Sequence, residues 1–552
     1  YQIDGVKVPH QPLNPYTQNN KNGSGKMSEK TYRMYLTNTL RRGRRLRRNE
    51  AAVVDGEHRI TWDQFADRVA RQAGALQSLG FEKGDRVAVL SNNNYRYIEI
   101  YFGSVWAGGC ICPLNTRHSV KEIVACLDDS ESRILMVDSN HLSMLPEIRQ
   151  EAKGLLHVVY IDDGPAPDGV LSYDELLATS DPAEDAMCGG DDVACLYYTG
   201  GTTGAPKAVM LTHNNLWWNT AGSANEVRMS VDSVAMLSGP LFHLAGGGRI
   251  YSAAISASTL VILPQFALPD VLDTIQRERV THATFVPTML NSILNWPDLA
   301  KYDLSSVCLL VYGASPMPES LLLKLPEVFP EARMLQAYGM TELSPTVSFL
   351  RHEDHMPPKG KESRRRSAGQ PISIVEVKIT DPEDKEVPMG TVGEIVVRGP
   401  TVMKGYWKLP ELTAETLRGG WMHTGDAGYM DEDGYLFIAD RIKDMIISGG
   451  ENIYSAEVEN ALYKHPDIAE CAVIGIPDEK WGEAVRAIIV LKAGATLQEA
   501  DVIAHCRTLI AGYKCPKSVE FSADALPKSG PGKILKNKLR ERFWSDQSRR
   551  VN

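Results

Sequence analysis

The sequence predicts an α/β protein with two parallel-rich sheets, a small antiparallel or barrel-like unit, and a separate C-terminal segment of helices and strands. Three observations carry that reading. The chain has 552 residues, 43% of them hydrophobic, which is ample for several cores and too long for one small binding module. Short Val- and Ile-rich runs alternate with amphipathic stretches over most of its length, the pattern of parallel strands covered by their connecting helices. Beyond about Pro371 the texture changes to short strands parted by turn signals, which suits antiparallel pairing.

Taken in order, residues Tyr1–Lys26 are rich in Asn, Gly, Pro and Gln without apolar periodicity. They read as an extension, native or added, with Met27 opening a segment that looks like a natural start. Leu40–Glu50 (LRRGRRLRRNE) holds six arginines and is expected to be a solvated helix end rather than a nucleic-acid or membrane patch. Strands are expected at RVAVLS (Arg86–Ser91), RILMVD (Arg133–Asp138) and HVVYID (His157–Asp162), each followed by a helical pattern. The rhythm returns at TLVILP (Thr259–Pro264), HATFVP (His282–Pro287) and VCLLVYG (Val307–Gly313). So many strands exceed the usual width of one sheet, hence two. VEVKITD, EIVVRG and the DEDGY turn at Asp431–Tyr435 make the small unit, and about a hundred residues after Arg441 make a further domain.

Composition narrows the function. Lys and Arg number 59 against 69 Asp and Glu, a formal charge of −10, so no nucleic-acid partner is expected. Nine cysteines without a Cys-x-x-Cys pair read as buried thiols in a reducing compartment, giving a cytoplasmic expectation. The longest apolar stretches, such as Ser252–Leu268, are interrupted by polar residues and Pro, and no integral membrane span is expected.

The strongest local signal is YTGGTTGAPK at Tyr198–Lys207 after the strand-like DVACLY. Gly200, Gly201 and Gly204 let backbone N–H groups converge on an anion, Thr199, Thr202 and Thr203 add hydroxyl donors, and Lys207 adds charge. The spacing is not that of a Walker loop, because Pro206 precedes the lysine and Ala208 follows it.

This stretch is similar to the phosphate-binding signature of the adenylate-forming enzymes, the superfamily of acyl-CoA synthetases, nonribosomal peptide adenylation domains and beetle luciferases. Further matches follow in order: PLFHLAG at Pro240–Gly246, YGAS at Tyr312–Ser315, YGMTE at Tyr338–Glu342 and WMHTGD at Trp421–Asp426. ADRIKDMIISGGENIYSAEVE at Ala439–Glu459 and PKSGPGKILKNKLRE at Pro527–Glu541 complete the series. The resemblance implies a large N-terminal domain over 27–440, hinged to a smaller, mobile C-terminal domain over 441–552. It also implies ATP, Mg²⁺ and coenzyme A, with a carboxylic acid adenylated and then passed to the thiol.

Residue roles follow from the same resemblance. Glu342 is the implied Mg²⁺ ligand, with Thr341 donating to a phosphate oxygen. Gly313, Ala314, Ser315, Tyr338, Gly339 and Met340 would receive adenine, and Asp426 and Arg441 the ribose. Lys533 would bridge the carboxylate and the α-phosphate, His243 would gate the acyl channel, and Gly247, Tyr312 and Gly313 would line it. Lys443 matches the hinge, and Gly449 and Gly450 the loop that meets pantetheine. Without the resemblance Asp426 reads as a turn residue, Tyr338 as core and Gly313 as a strand-end turn.

Two departures stand out. Gly200 replaces the more usual Ser, and Ser455 replaces the usual Pro, which is expected to loosen the backbone near the thiol site. The reading is a carboxylate–CoA ligase; a stand-alone adenylation enzyme loading a carrier protein in trans is the alternative. A fatty or aryl acid is favoured over acetate. A dicarboxylate stays open because Arg249 could meet a second charge, although a solvated Arg249 is the expectation. The sequence leaves the oligomeric state open, a homodimer included.

Overall fold

The computed structural model describes residues 33–199, 206–315, 317, 319–449, 451–528 and 534–544. The extension expected at 1–26 lies outside them. Among the described residues the strands form four sheets.

The first sheet runs Gly405–Tyr406, Lys207–Thr212, Val193–Thr199, Cys110–Pro113, Arg86–Leu90, Ile134–Val137, His157–Tyr160, Leu171–Ser172. It is parallel from Val193–Thr199 onward and antiparallel at its other edge. The second runs Gln370–Pro371, Thr346–Leu350, Arg333–Gly339, Leu309–Gly313, His282–Phe285, Val234–Leu237, Thr259–Ile262, Ala51–Asp55, His58–Thr61. Its middle is parallel and both of its edges are antiparallel. Two parallel-rich sheets therefore stand as the alternating pattern implied. One core joins them: Val87 and Val89 of the first sheet and Ala235, Leu237 and Leu260 of the second share a buried cluster with the helices Trp62–Ser78, Tyr95–Trp106 and Leu244–Ser256.

The small subdomain is an antiparallel sheet of Glu376–Thr380, Gly393–Arg398, Met422–Met430 and Leu436–Arg441. Its expected turn is present, with Asp431 and Tyr435 joined by a backbone hydrogen bond and Gly434 at φ +78°, a conformation that glycine takes without strain. The last sheet is mixed, from Ile446–Ser448, Glu451–Ile453, Gly482–Leu491, Ile468–Asp478 and Ser518–Phe521.

The arginine cluster is the solvated helix end expected, with Arg42, Arg44, Arg45 and Arg48 exposed, while two other expectations are corrected. In the helix Asn38–Leu46 and the turn after it, Arg41 pairs with Asp185, Arg44 and Arg48 with Asp63, and Arg47 with Glu50, while Arg42 donates to the carbonyl of Ile255. Of the nine thiols, Cys308 is exposed and the other eight are buried. Ser455 tightens its surroundings rather than loosening them. It is fully buried at the start of the helix Ser455–Leu462, and both its N–H and its hydroxyl donate to Asp440, at 2.5 and 2.6 Å. Lys536 in turn donates to the Ser455 Oγ at 2.5 Å and pairs with Glu459 at 2.7 Å.

That network joins the end of the small subdomain to the last sheet's helices, and its worth is measurable. Ser455→Ala leaves Asp440 and Lys536 each short of a partner in a buried place. It is expected to cost about 1–3 kcal/mol, read as a lower urea midpoint at unchanged slope. An unmoved midpoint would mean that water replaces the hydroxyl without loss.

Candidate active site

In parallel sheets, ligands gather beyond the carboxyl ends of the strands, and the described candidates for the nucleotide lie there. Leu309–Gly313 and Arg333–Gly339 end side by side, with Gly313 opposite Ala337. A Cβ at Gly313 would overlap the Ala337 carbonyl oxygen, and one at Gly339 the Pro345 carbonyl oxygen, so both positions require glycine. Beyond Gly313, Ala314 is exposed at φ +66° and Ser315 is half-buried. Beyond Gly339, the Met340 N–H donates to the Pro345 carbonyl. The chain then makes one tight turn at Thr341–Leu343 and reverses into Thr346–Leu350.

That turn buries Thr341 and Glu342. One Glu342 oxygen accepts a hydrogen bond from the Tyr406 hydroxyl at 3.0 Å, and burial raises the carboxyl above its usual range. The Lys207 ammonium lies 5.8 Å from the Tyr406 ring centroid. Lys207, Tyr406 and Glu342 therefore form a row from the end of the glycine-rich segment to the buried carboxylate. Sequence reading passed over Tyr406. It sits on the two-residue strand Gly405–Tyr406, placed beside Val209 only by tertiary pairing.

The sheet ladder brings Asp426 opposite Arg441. Arg441 Nε pairs with one Asp426 oxygen at 2.7 Å and the Tyr338 hydroxyl donates to the other at 2.7 Å. Burial and the Asp426 charge push the Tyr338 phenol well above its ordinary range, so it remains a donor. Each carboxylate oxygen retains acceptor capacity for a further donor, and a vicinal diol supplies two. Arg441 and Asp426 are also close enough to Glu342 to bias its protonation in opposite directions. Four residues expected from scattered motifs thus converge on one polar cluster. Among the described residues no group of three or more His, Cys, Asp or Glu forms a metal site. A lone buried carboxylate fits Mg²⁺ of the kind that takes most remaining ligands from phosphate and water.

Other candidates are placed less directly. Thr199 and Lys207 face each other across the ladder, while Gly200, Gly201, Thr202, Thr203 and Gly204 lie outside the described residues, as do Gly450 and Lys533. Gly449 has φ +64° and donates its N–H to the Trp481 carbonyl at 2.8 Å. Lys443 is exposed two residues past Arg441, its carbonyl gripped by Arg540 at 2.9 Å.

The expected acyl channel needs revision. Gly247 faces the core: a Cβ there would meet the hydroxyls of Tyr101 and Tyr197, which bond each other at 2.6 Å. Gly248 is the more open position, with Pro345 and Leu244 its nearest neighbours at 3.7 Å or more. The Tyr312 side chain points into a core on the face opposite Val311, and its hydroxyl bonds the His355 ring at 2.7 Å. Only its backbone borders Gly313. His243 precedes the helix Leu244–Ser256, and its Nδ1 is buried without a hydrogen-bond partner among the described residues. Burial pushes the imidazole down to about 4, so it is neutral at physiological pH.

His213 and His355 are likewise pushed down to about 4, chiefly by burial. The unfolded chain therefore takes up protons near pH 6.5, which the folded protein refuses until about 4. Their contribution to stability is full above pH 6.5 and is lost as pH falls toward 4. His213 Nδ1 accepts from the Leu36 N–H, a bond that an Asn oxygen can replace. His213→Asn is expected to flatten the pH dependence of unfolding in that window by up to about 1.4 kcal/mol per pH unit. Urea titrations at several pH values check this, and an unaltered slope would show that His213 titrates normally.

A family profile described as AMP-binding enzyme matches residues 40–407, and one described as AMP-binding enzyme C-terminal domain matches residues 457–533. A feruloyl-CoA synthase of Amycolatopsis sp is 41% identical over 500 residues, covering 90% of this chain and 97% of that protein. The long-chain-fatty-acid–CoA ligase FadD13 of Mycobacterium tuberculosis is 34% identical, covering 88% and 93%. The crystal structure of the anthranilate CoA ligase AuaEII in complex with anthranoyl-AMP superimposes with a TM-score of 0.84. It is 29% identical, covering 92% of this chain and 97% of that one.

Proposed function

The chain belongs to the AMP-binding enzyme family and is an acyl-CoA ligase, and from that premise we propose that it works by two half-reactions on one nucleotide site. A carboxylate oxygen attacks the α-phosphorus of ATP and pyrophosphate leaves. The CoA sulfur then attacks the acyl carbon and AMP leaves. Positioning and charge neutralisation carry most of such catalysis. The observation that carries the reading is the Asp426 carboxylate fixed by Arg441 and Tyr338 beside buried Glu342.

In this reading Asp426 and Arg441 hold the ribose, and Tyr338 with residues 313–315, 339 and 340 receives the base. Thr199 to Gly204 and Lys207 enclose the phosphates, and Thr341 donates to a phosphate oxygen. Glu342 would hold Mg²⁺, which supplies neutralisation of phosphate charge. Lys533 contacts the α-phosphate and the incoming carboxylate, while neutral His243 flanks the acyl group. The names of the relatives support an aryl or fatty acid.

We place the domain boundary between residues 440 and 441, with 441–552 turning about Lys443 between the half-reactions so that Lys533 and then Gly449 and Gly450 face the site. Lys443→Pro restricts that turn. It is expected to retain acid-dependent pyrophosphate release and to lose thioester formation; equal loss of both would remove the hinge assignment.

The direct test is pyrophosphate release over a panel of carboxylic acids, followed by thioester formation at increasing CoA. Saturation by CoA supports the ligase. Adenylation that transfers only to a carrier protein would move the assignment to carrier loading, and no release with any acid would end it.

A further inference from the structure

Arg249 stands where a solvated side chain was expected, and it is partly withdrawn from solvent. It lies on the helix Leu244–Ser256, two residues from Gly247. Two residues turn a helix by about 200°, so Arg249 faces away from the tyrosines packed on Gly247. It is half-buried and lines a cavity with Val227, Met229, His282, Thr284 and Val311. No hydrogen bond or ion pair reaches its guanidinium among the described residues. Burial pushes it down to about 10 with no acid to offset the effect, which leaves it cationic at neutral pH. The neighbouring His282 offers no counter-charge, since its ring nitrogens meet the Val227 carbonyl and the Thr281 hydroxyl.

The cavity shares a sheet face with the nucleotide site. Thr284 is in register with Val311, and Gly313 follows Val311 on the same face, about 7 Å further along the strand. His243 and Arg249 are six residues apart, about 9 Å along the helix axis. A partly buried cation without a partner among the described residues is costly to the fold, and its position points to a counter-ion that arrives with the substrate.

We propose that Arg249 is a specificity-determining residue: the acid carries a second carboxylate about 7–9 Å from the one that is adenylated, and Arg249 receives it. This rests on the ligase reading and on the reacting carboxyl lying near His243 and Gly313.

The test uses the full chain with acids paired by length, hexanoate with adipate, octanoate with suberate, and 4-methylcinnamate with 4-carboxycinnamate. Wild type is expected to favour at least one diacid over its partner by about 100-fold in kcat/KM, since a site built for a polar group rejects analogues that lack it. Arg249→Met is expected to reverse that preference, and Arg249→Lys to keep its sign at reduced size. Thermal unfolding without substrate gives a second readout, in which Arg249→Met melts no earlier than wild type because an unpaired, partly buried charge has been removed. Monoacids preferred by wild type, or the same preference in wild type and Arg249→Met, would overturn the proposal and leave the ligase reading intact. Failure of every acid to release pyrophosphate would remove both.

Discussion

Lys533→Ala is expected to lower acid-dependent pyrophosphate release by about 10²–10³-fold, while the reaction of supplied acyl-adenylate with CoA changes little. The reason is charge development. As the carboxylate approaches the α-phosphorus, negative charge accumulates on oxygens that one ammonium can meet together, whereas in the second step the reaction centre is the acyl carbon and charge builds on the departing AMP. The flanks of the residue are suited to delivering it. Lys528 and Ile534 form an antiparallel bridge, the Leu535 N–H donates to the Pro527 carbonyl at 2.8 Å, and Lys528 pairs with Glu470. Two residues past the bridge, Lys536 is held by Ser455 and Glu459. The base of the segment is thus tied to the strand Ile468–Asp478 and the helix Ser455–Leu462, and a motion of that body would carry Lys533 with it. Lys533→Arg, which keeps charge but changes its shape, is expected to recover only part of the rate. Full adenylation by Lys533→Ala, or equal loss of both half-reactions, would refute the role.

The parts of the molecule that were legible in the sequence are those whose signal is local. Arg86–Leu90, Ile134–Val137 and Leu309–Gly313 are near-continuous apolar runs because helices cover both faces of a parallel sheet. Ala51–Asp55 escaped notice. Its five residues resemble any short apolar run, and its partner Thr259–Ile262 is distant in the chain. The same distinction holds in the site. Glu342, Asp426 and Arg441 sit in dense motifs, whereas Tyr406 matters through contacts to residues distant in the chain, among them a hydrogen bond to a residue 64 positions earlier. Arg249 and Ser455 depart from expectation because residue type does not report environment. An arginine suggests water and a serine suggests looseness, but burial reverses both, and burial is a property of the packed chain.

Glu342→Gln separates the needs of catalysis from those of the fold, and is expected to reduce adenylation by about 10²-fold or more while raising the thermal midpoint. Gln has nearly the same shape and can still accept the Tyr406 hydroxyl, so what is lost is the charge. When ionised, the carboxylate is buried with one neutral donor, the Tyr406 hydroxyl, as its side-chain hydrogen bond. Its pKa is raised on folding by burial. A carboxyl with a raised folded pKa favours the folded state only while protonated, so ionised Glu342 weakens the fold as pH rises through that pKa. Removing the charge relieves this cost, in the manner of active-site groups kept at the expense of stability. Tyr406→Phe keeps the charge and removes its orienting donor. A hydrogen bond to a charged group is worth about 1.5–3 kcal/mol, so a loss of at least about tenfold in adenylation is expected, with a higher Mg²⁺ requirement. Activity and Mg²⁺ titrations of both variants, beside their melting curves, check the argument. If Glu342→Gln melted earlier in step with its loss of rate, the carboxylate would be holding the turn at Thr341–Leu343 together, and its assignment to the metal would fall.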